Sequence, residues 1–249
     1  MPPNPGWQVF PHEPELEAWL RHVRPHAEAA VDQNGQWLRH DGTWFAGVDV
    51  LCNDVAGRVA GGPPLACEAL EVAGRVPLHK GQVSVTYPGY PGRDPQETDA
   101  AHRYRRDRDA AHLDGLLPIG TARRRMIREP HAWILGLPVS PMRRDNAPLV
   151  VYEGSHEILR SALIAALRPH PIEAWADVDI TDAYQAARRR CFEACRRVEI
   201  EAMPGEAILL HRLTLHGVAP WTGPAGPARS VLYFRPVLPG GILDWLALP

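Results

Sequence analysis

The sequence predicts a mainly β protein, a sandwich or jelly-roll barrel dressed with helices. Three observations lead there. Short runs of strand formers dominate residues 81–153 and 198–237, cut by Gly/Pro turns. Helical periodicity gathers early and in the middle of the chain. The two kinds of segment do not alternate, which argues against a parallel doubly wound sheet. No internal repeat, low-complexity tract or linker divides the 249 residues. The expectation is therefore one domain over 1–249, with a helical and stranded elaboration over 1–80 and the barrel core over about 80–237.

The elements follow in order. "PELEAWLRHVRPHAEAAV" (14–31) places Leu16, Trp19, Leu20 and Val23 on one helical face, with Pro25 as the expected break. "TWFAGVDVL" (43–51) reads as a strand, and "PLACEALEVAG" (64–74) as a short helix closed by Gly74. "GQVSVTYPGYP" (81–91) alternates: Gln82, Ser84 and Thr86 share one face, and Val83, Val85 and Tyr87 the other. A polar, arginine-laden stretch (92–111) follows, then strand candidates at 131–140 and 147–155. "SHEILRSALIAAL" (155–167) is helical with Ser155 as expected N-cap, and Thr181 is expected to cap the amphipathic helix over 182–198. Strands return at 198–203, 206–213 and 229–237.

Composition excludes several classes of function. A net charge of −2 offers nothing to attract nucleic acid or a membrane surface. No window reaches 18 apolar residues, and the N-terminus lacks the basic start and apolar run of a signal peptide, so a cytoplasmic location is expected. Four cysteines are too few for a disulfide framework, and Cys191 and Cys195 read as inert thiols. Lys80 is the only lysine; the other basic residues are arginines, so any single arginine is by default a surface residue. Nothing in the sequence sets an oligomeric state.

Chemistry enters with His112-Leu-Asp114. Alone the pair means little, because 12 histidines and the aspartates of this chain give about 0.7 His-x-Asp pairs by chance. Two imidazoles and one carboxylate on one face of a metal mark non-haem Fe(II) oxygenases, since three positions stay free. His-x-Asp at a strand end supplies two ligands on one side. "GEAILLHRLTLHGVAPW" (205–221) supplies His211 and His216; five apart on an extended segment they face opposite ways. His216, at the rim before Gly217 and Pro220, is the expected third ligand, and His211, inside an apolar run, a core or supporting histidine. Arg229 opens the next strand, thirteen residues after His216, where a hairpin would bring its guanidinium near the metal for bidentate pairing with a carboxylate.

His112-Leu-Asp114, "APLVVYEGSHEI" (147–158), "GEAILLHRLTLHGVAP" (205–220) and Arg229 together resemble the phytanoyl-CoA dioxygenase family of Fe(II)/2-oxoglutarate oxygenases. Members show His-x-Asp, a PL…PGSH stretch, a GD…H…HG stretch carrying the distal histidine, and an arginine that binds the far carboxylate of 2-oxoglutarate. The resemblance covers about 80–234, with the motifs in order. It implies a double-stranded β-helix (cupin-like jelly-roll) core, Fe(II) on His112, Asp114 and His216, 2-oxoglutarate on Arg229, and a small-molecule substrate oxidised with O2. Related halogenases replace the carboxylate ligand with a small residue, so Asp114 points to hydroxylation, with succinate and CO2 released. Glu153 and Glu206 depart from the family pattern outside the ligand set, and His156 reads as a structural residue at a turn.

Weaker candidates remain open. Ser84 and Thr86 hydrogen-bond 2-oxoglutarate or substrate if their face looks into the barrel, and belong to a solvated face if it looks out. The arginines at 103, 105, 106, 108 and 123–125 line an anionic pocket or form a solvated rim, the latter favoured. His102 and His131, with no carboxylate two residues on, are structural, and Tyr87 and Tyr90 are placed at the mouth. Two other functions compete: a zinc hydrolase or lyase on the same triad, and a catalytically inactive cupin-like binding protein.

Overall fold

The computed structural model describes residues 4–247. Strand β1 (Trp7–Phe10) leads to helix α1 (Pro14–Gln33), a short β2 (Leu38–Arg39), β3 (Trp44–Gly47), helix α2 (Glu68–Ala73) and β4 (Gln82–Thr86). Helix α3 (Asp99–Asp107) precedes the hairpin of β5 (Leu116–Ile119) and β6 (Arg124–Ile127), then β7 (Ile134–Pro138) and β8 (Leu149–Tyr152). Helices α4 (Ser155–Leu167) and α5 (Thr181–Ala194) separate β8 from β9 (Arg197–Ile200). The chain closes with β10 (Ala207–Leu210), β11 (His216–Val218), β12 (Arg229–Phe234) and helix α6 (Gly241–Ala247).

The strands form a large sheet, order β1-β10-β7-β12-β4-β3-β2, and a small one, order β11-β8-β9. An isolated antiparallel bridge between His112 and His216 adds the His112 segment beside β11. From β4 onward the chain crosses repeatedly between the sheets. It runs β4, the His112 segment, β7, then β8 and β9, then β10, β11 and β12. That is the path of an eight-stranded jelly roll, as expected for a double-stranded β-helix. Strands β1 and β3, from the first 80 residues, are hydrogen-bonded to its large sheet. No helix among the described residues is long and apolar enough to cross a membrane.

Pleating divides the side chains into layers. Val83, Val85, Leu135, Leu137, Leu232 and Phe234 leave the large sheet on its outer side and pack against Leu16, Trp19, Leu20 and Val23 of α1. Val150 and Tyr152 leave the small sheet outward to meet Leu159, Leu163 and Tyr184 of α4 and α5. Ile134, Leu149, Val151, Ile208 and Val231 fill one end of the space between the sheets. The other end of that space holds the polar side chains of the site beside Trp44, Ala46 and Val218.

Three local expectations are corrected. Helix α1 runs through Pro25. The missing N–H costs about 3 kcal/mol, but the face buries Leu16, Trp19, Leu20, Val23, Ala27 and Ala30, and each large apolar side chain returns about 1.5–3 kcal/mol. Ser155 is the first helical residue of α4, and left-handed Gly154 takes the cap position; the Ser155 hydroxyl instead accepts from Leu215 N–H at 2.9 Å. Thr181 likewise lies inside α5, where its hydroxyl accepts from Arg125 N–H at 2.6 Å and donates to Asp179.

Candidate metal centre

His112 and His216 face each other across an antiparallel pair, exchanging both backbone hydrogen bonds (2.8 and 3.1 Å). Directly opposed residues send their side chains to the same face, so the two rings lie 4.8 Å apart between centroids. Asp114, two residues on, is 8% exposed and projects to the same side; the intervening Leu113 packs outward with Ala111 against α5. His112 Nε2 lies 3.3 Å from Asp114 Oδ1, and His216 Nε2 3.7 Å from Oδ2. The three residues form a cluster able to hold a metal ion.

Both imidazoles are oriented for that task. His112 Nδ1 lies 3.1 Å from the Ala110 carbonyl and His216 Nδ1 2.9 Å from that of Thr214. A carbonyl only accepts, so Nδ1 carries the proton and each Nε2 lone pair is free to face the cluster. Burial pushes His216 down to about 4, so its ring is neutral at physiological pH. For Asp114, burial alone would raise the carboxyl, but Arg235, then His216 and His112, hold it well below the usual range. The His112 ring is half-exposed toward the cavity, and Asp114 raises its basicity against the desolvation of its inner edge.

The backbone that carries His112 is held under strain. Asp109 and Ala110 both adopt left-handed φ, +57° and +50°, a conformation that non-glycine residues keep only where their surroundings enforce it. Enforcement comes from Arg197, whose Nε and Nη2 bind the two Asp109 carboxylate oxygens at 2.8 and 2.7 Å, and from the Tyr152 hydroxyl at 3.0 Å. Gly217 allows the approach: a Cβ there would sit 2.2 Å from the Asp109 carbonyl oxygen.

Beside the cluster lies a cavity of about 210 Å³, walled by Trp44, Ala46, Ile134, Leu149 and Val218 with Gln82, Ser84 and Tyr233. The face of β4 bearing Gln82, Ser84 and Thr86 therefore looks inward. Ser84 accepts from Trp44 Nε1–H at 3.1 Å, while Thr86 sits directly across from Arg229. Arg229 is 0% exposed. Among the described residues, none of its three guanidinium nitrogens has a hydrogen-bond partner, nor do the hydroxyls of Thr86 and Tyr233. Burial lowers the Arg229 pKa, and neighbouring Tyr233 opposes the shift.

The other candidates fall elsewhere. The chain turns between β10 and β11, so His211 leaves the cavity and takes the Arg160 guanidinium at 2.9 Å, its ring 4.8 Å from that of buried His156. Burial pushes His211 down to about 3. His102 and His131 stand outside the cluster. Tyr90 is buried behind Trp44, and Tyr87 packs on the helix side of the large sheet; neither was placed so deep by the sequence. The flanking arginines are largely engaged on their own: Arg105 with Glu97, Arg124 with Asp179 and Asp182, Arg106 with Asp107. Cys191 and Cys195 are free thiols, and burial pushes Cys191 up to about 12.

No family model matches the sequence, and no curated protein sequence matches it. Solved structures do. SnoK, a non-heme alpha-ketoglutarate-dependent carbocyclase from nogalamycin biosynthesis, superposes with a TM-score of 0.52 at 14% identity, over 97% of this chain and 85% of that one. The fold is shared. EvdMO1 gives 0.50 at 14% identity over 95% of this chain and 48% of that chain. AviO1 from Streptomyces viridochromogenes Tue57 gives 0.49 at 13% identity over 95% and 91%.

Sequence reasoning missed Arg235. Its Nη1 lies 3.1 Å from Asp114 Oδ2 and its Nη2 2.7 Å from Gln82 Oε1, so it clamps the carboxylate to the β4 wall. The signal was present: Arg229, Val231, Tyr233 and Arg235 form one period-two series along β12.

Proposed function

We propose that this chain is a non-haem Fe(II)/2-oxoglutarate-dependent oxygenase, a single domain that hydroxylates a small molecule with O2. The observation that carries the proposal is a pairing within one jelly roll. Two imidazole lone pairs and a carboxylate converge on a point, and a fully buried arginine, with no anionic partner among the described residues, lies on β12 of the facing sheet. The donor set fits iron: two imidazoles and one carboxylate are the ligands of the facial triad that leaves three positions open.

In this reading His112, His216 and Asp114 hold the metal, and Ala110 and Thr214 fix the tautomers that leave each Nε2 free. Arg235 and Gln82 keep Asp114 turned toward the ion. Arg229 pairs with the distal carboxylate of 2-oxoglutarate through its planar fork, and the Thr86 and Tyr233 hydroxyls donate to the same group. Ser84, across the wall, holds the Trp44 indole that shapes the substrate space. Bound iron and 2-oxoglutarate supply the O2-dependent oxidation of a substrate C–H bond, with succinate and CO2 leaving. The apolar wall of Ala46, Ile134, Leu149 and Val218 excludes water from that oxidation. Asp114 occupies the position that a halide would need, so the oxidation proposed is hydroxylation and not halogenation.

A zinc hydrolase could use the same three ligands but gives Arg229 no task. Calorimetric titration of 2-oxoglutarate into Mn(II)-loaded protein separates the two. The oxygenase reading expects one-to-one binding that chelation abolishes. Tight Mn(II) binding with no 2-oxoglutarate heat overturns it.

A further inference from the structure

A second group of metal-capable side chains meets away from the cavity: His40, Asp94 and Glu97, with donor atoms within 4.8 Å of one another. His40 and Asp41 turn the chain between β2 and β3 with φ of +55° and +53°, which folds the imidazole inward onto Trp44. The rings stack at 5.5 Å and 8°, and Tyr90 meets His40 edge-on. His40 is 6% exposed, yet neither ring nitrogen has a hydrogen-bond partner. Its Nδ1 lies 3.3 Å from Asp94 Oδ2 without the geometry of a hydrogen bond.

The two carboxylates differ: the Asp94 side chain is 43% exposed and held by backbone, and that of Glu97 is buried. Asp94 is anchored by the backbone N–H groups of Asp41 (2.8 Å) and His40 (3.2 Å). The Glu97 side chain is 6% exposed; Arg105 holds its Oε1, while Oε2 has no partner. His102 Nδ1, also without one, lies 3.6 Å from that oxygen. Buried polar atoms nearly always find partners, yet among the described residues the His40 ring nitrogens and Glu97 Oε2 have no hydrogen bond. His40 Nδ1 and Asp94 Oδ2, 3.3 Å apart, match the roughly 3.3 Å edge of a tetrahedron with bonds of about 2.05 Å, and Glu97 completes a group whose donor atoms lie within 4.8 Å of one another. Arg105 on the far oxygen of Glu97 resembles the outer hydrogen bond that ligating carboxylates usually carry. Imidazole beside carboxylates suits zinc-class ions and not magnesium or calcium.

We propose that His40, Asp94 and Glu97 form a structural site for a zinc-class divalent cation, with water as the fourth donor on the side of half-exposed Asp94. It ties the β2–β3 turn to the segment leading into α3. Because His40 stacks on Trp44, and Trp44 lines the cavity, the ion also braces the cavity wall.

The test is a count of bound metal. Chelator-stripped full-length protein is dialysed against Zn(II) and, separately, Co(II), alongside His40→Gln, Glu97→Gln and His112→Ala. Glu97→Gln keeps the side-chain shape and a carbonyl for Arg105; Asp94→Asn replaces it if circular dichroism shows misfolding. The proposal expects Glu97→Gln and His40→Gln each to bind one equivalent fewer than the parent. It also expects His112→Ala to retain an equivalent whose Co(II) form shows the intense visible bands of a four-coordinate ion. Stoichiometry unchanged by both His40→Gln and Glu97→Gln overturns it and leaves an ion-pair cluster around Arg105. Loss seen only in His112→Ala reports on the cavity site, so the two proposals fail separately.

Discussion

Replacing Arg229 with methionine should make the ligand-free protein no less stable, and the ligand-bound protein markedly weaker by comparison. Arg229 is fully buried, with Nε, Nη1 and Nη2 all lacking partners among the described residues. Burying a charge costs several kcal/mol unless it is well paired, and exchanging buried charges for apolar residues of similar volume is neutral or stabilising by about 1–4 kcal/mol. Taking about 2 kcal/mol, and about 2–4 °C per kcal/mol for a chain of this size, Arg229→Met should melt about 4–8 °C above the parent. A ligand at 100 times its Kd stabilises by about 2.7 kcal/mol, so 2-oxoglutarate added to Mn(II)-loaded protein should raise the parent by about a further 5–11 °C and the Mn(II)-loaded variant hardly at all. Thermal unfolding with and without 2-oxoglutarate measures both. A variant several degrees less stable without ligand, or one that keeps the full 2-oxoglutarate shift, would refute the reasoning.

Arg197→Ala should cost about 2–3 kcal/mol in urea unfolding, because it strands the Asp109 carboxylate, 2% exposed, with only Tyr152. The value sits below the usual 3–5 kcal/mol for a broken buried pair because Arg197 is 39% exposed and water can enter. Metal affinity should fall with it, since the strained 109–110 turn carries His112; unchanged affinity would show that the turn holds without its clamp. Gly217→Ala places a Cβ 2.2 Å from the Asp109 carbonyl oxygen and should cost more than about 2 kcal/mol, with well-folded, fully metal-binding protein as the contrary result. Acid should destabilise the apo protein. Burial depresses His216 and His131 to about 4 and His211 to about 3, while unfolded histidine titrates near about 6.5. Between those values the unfolded chain binds more protons, so stability present above about pH 6.5 is lost as pH falls toward about 4. His112, raised by Asp114, acts in the opposite sense but is one ring against three. Urea midpoints should fall from about pH 7.5 to about pH 5, and a midpoint that rises would contradict these environments.

What was legible in the sequence was whatever a local period writes. The Gln82–Ser84–Thr86 face follows from the pleat, and α4 from its apolar spacing, because one strand or one helix decides those patterns. What was hidden depended on distant partners. Pro25 stays helical only because the sheet rewards the whole face of α1. Helix α3 buries none of its residues, so no apolar stripe announced it. The choice of His216 over His211 assumed one extended segment, whereas the chain turns there, with Thr214 N–H bonded to the His211 carbonyl at 2.8 Å. The cluster contains His216 and not His211 because turn and strand both send His211 away from His216. Arg235 was masked by an arginine-rich composition, and left-handed Asp109 by the lack of any local rule that demands it.

The most direct test of the central claim is an anaerobic titration of Fe(II) and 2-oxoglutarate into the apo protein, followed by visible absorption. The account predicts a weak charge-transfer band that appears only when both are present, saturates at one equivalent of each, vanishes in His216→Ala and weakens in Arg229→Met. A folded protein that binds Fe(II) at the cavity yet develops no such band on adding 2-oxoglutarate would contradict it.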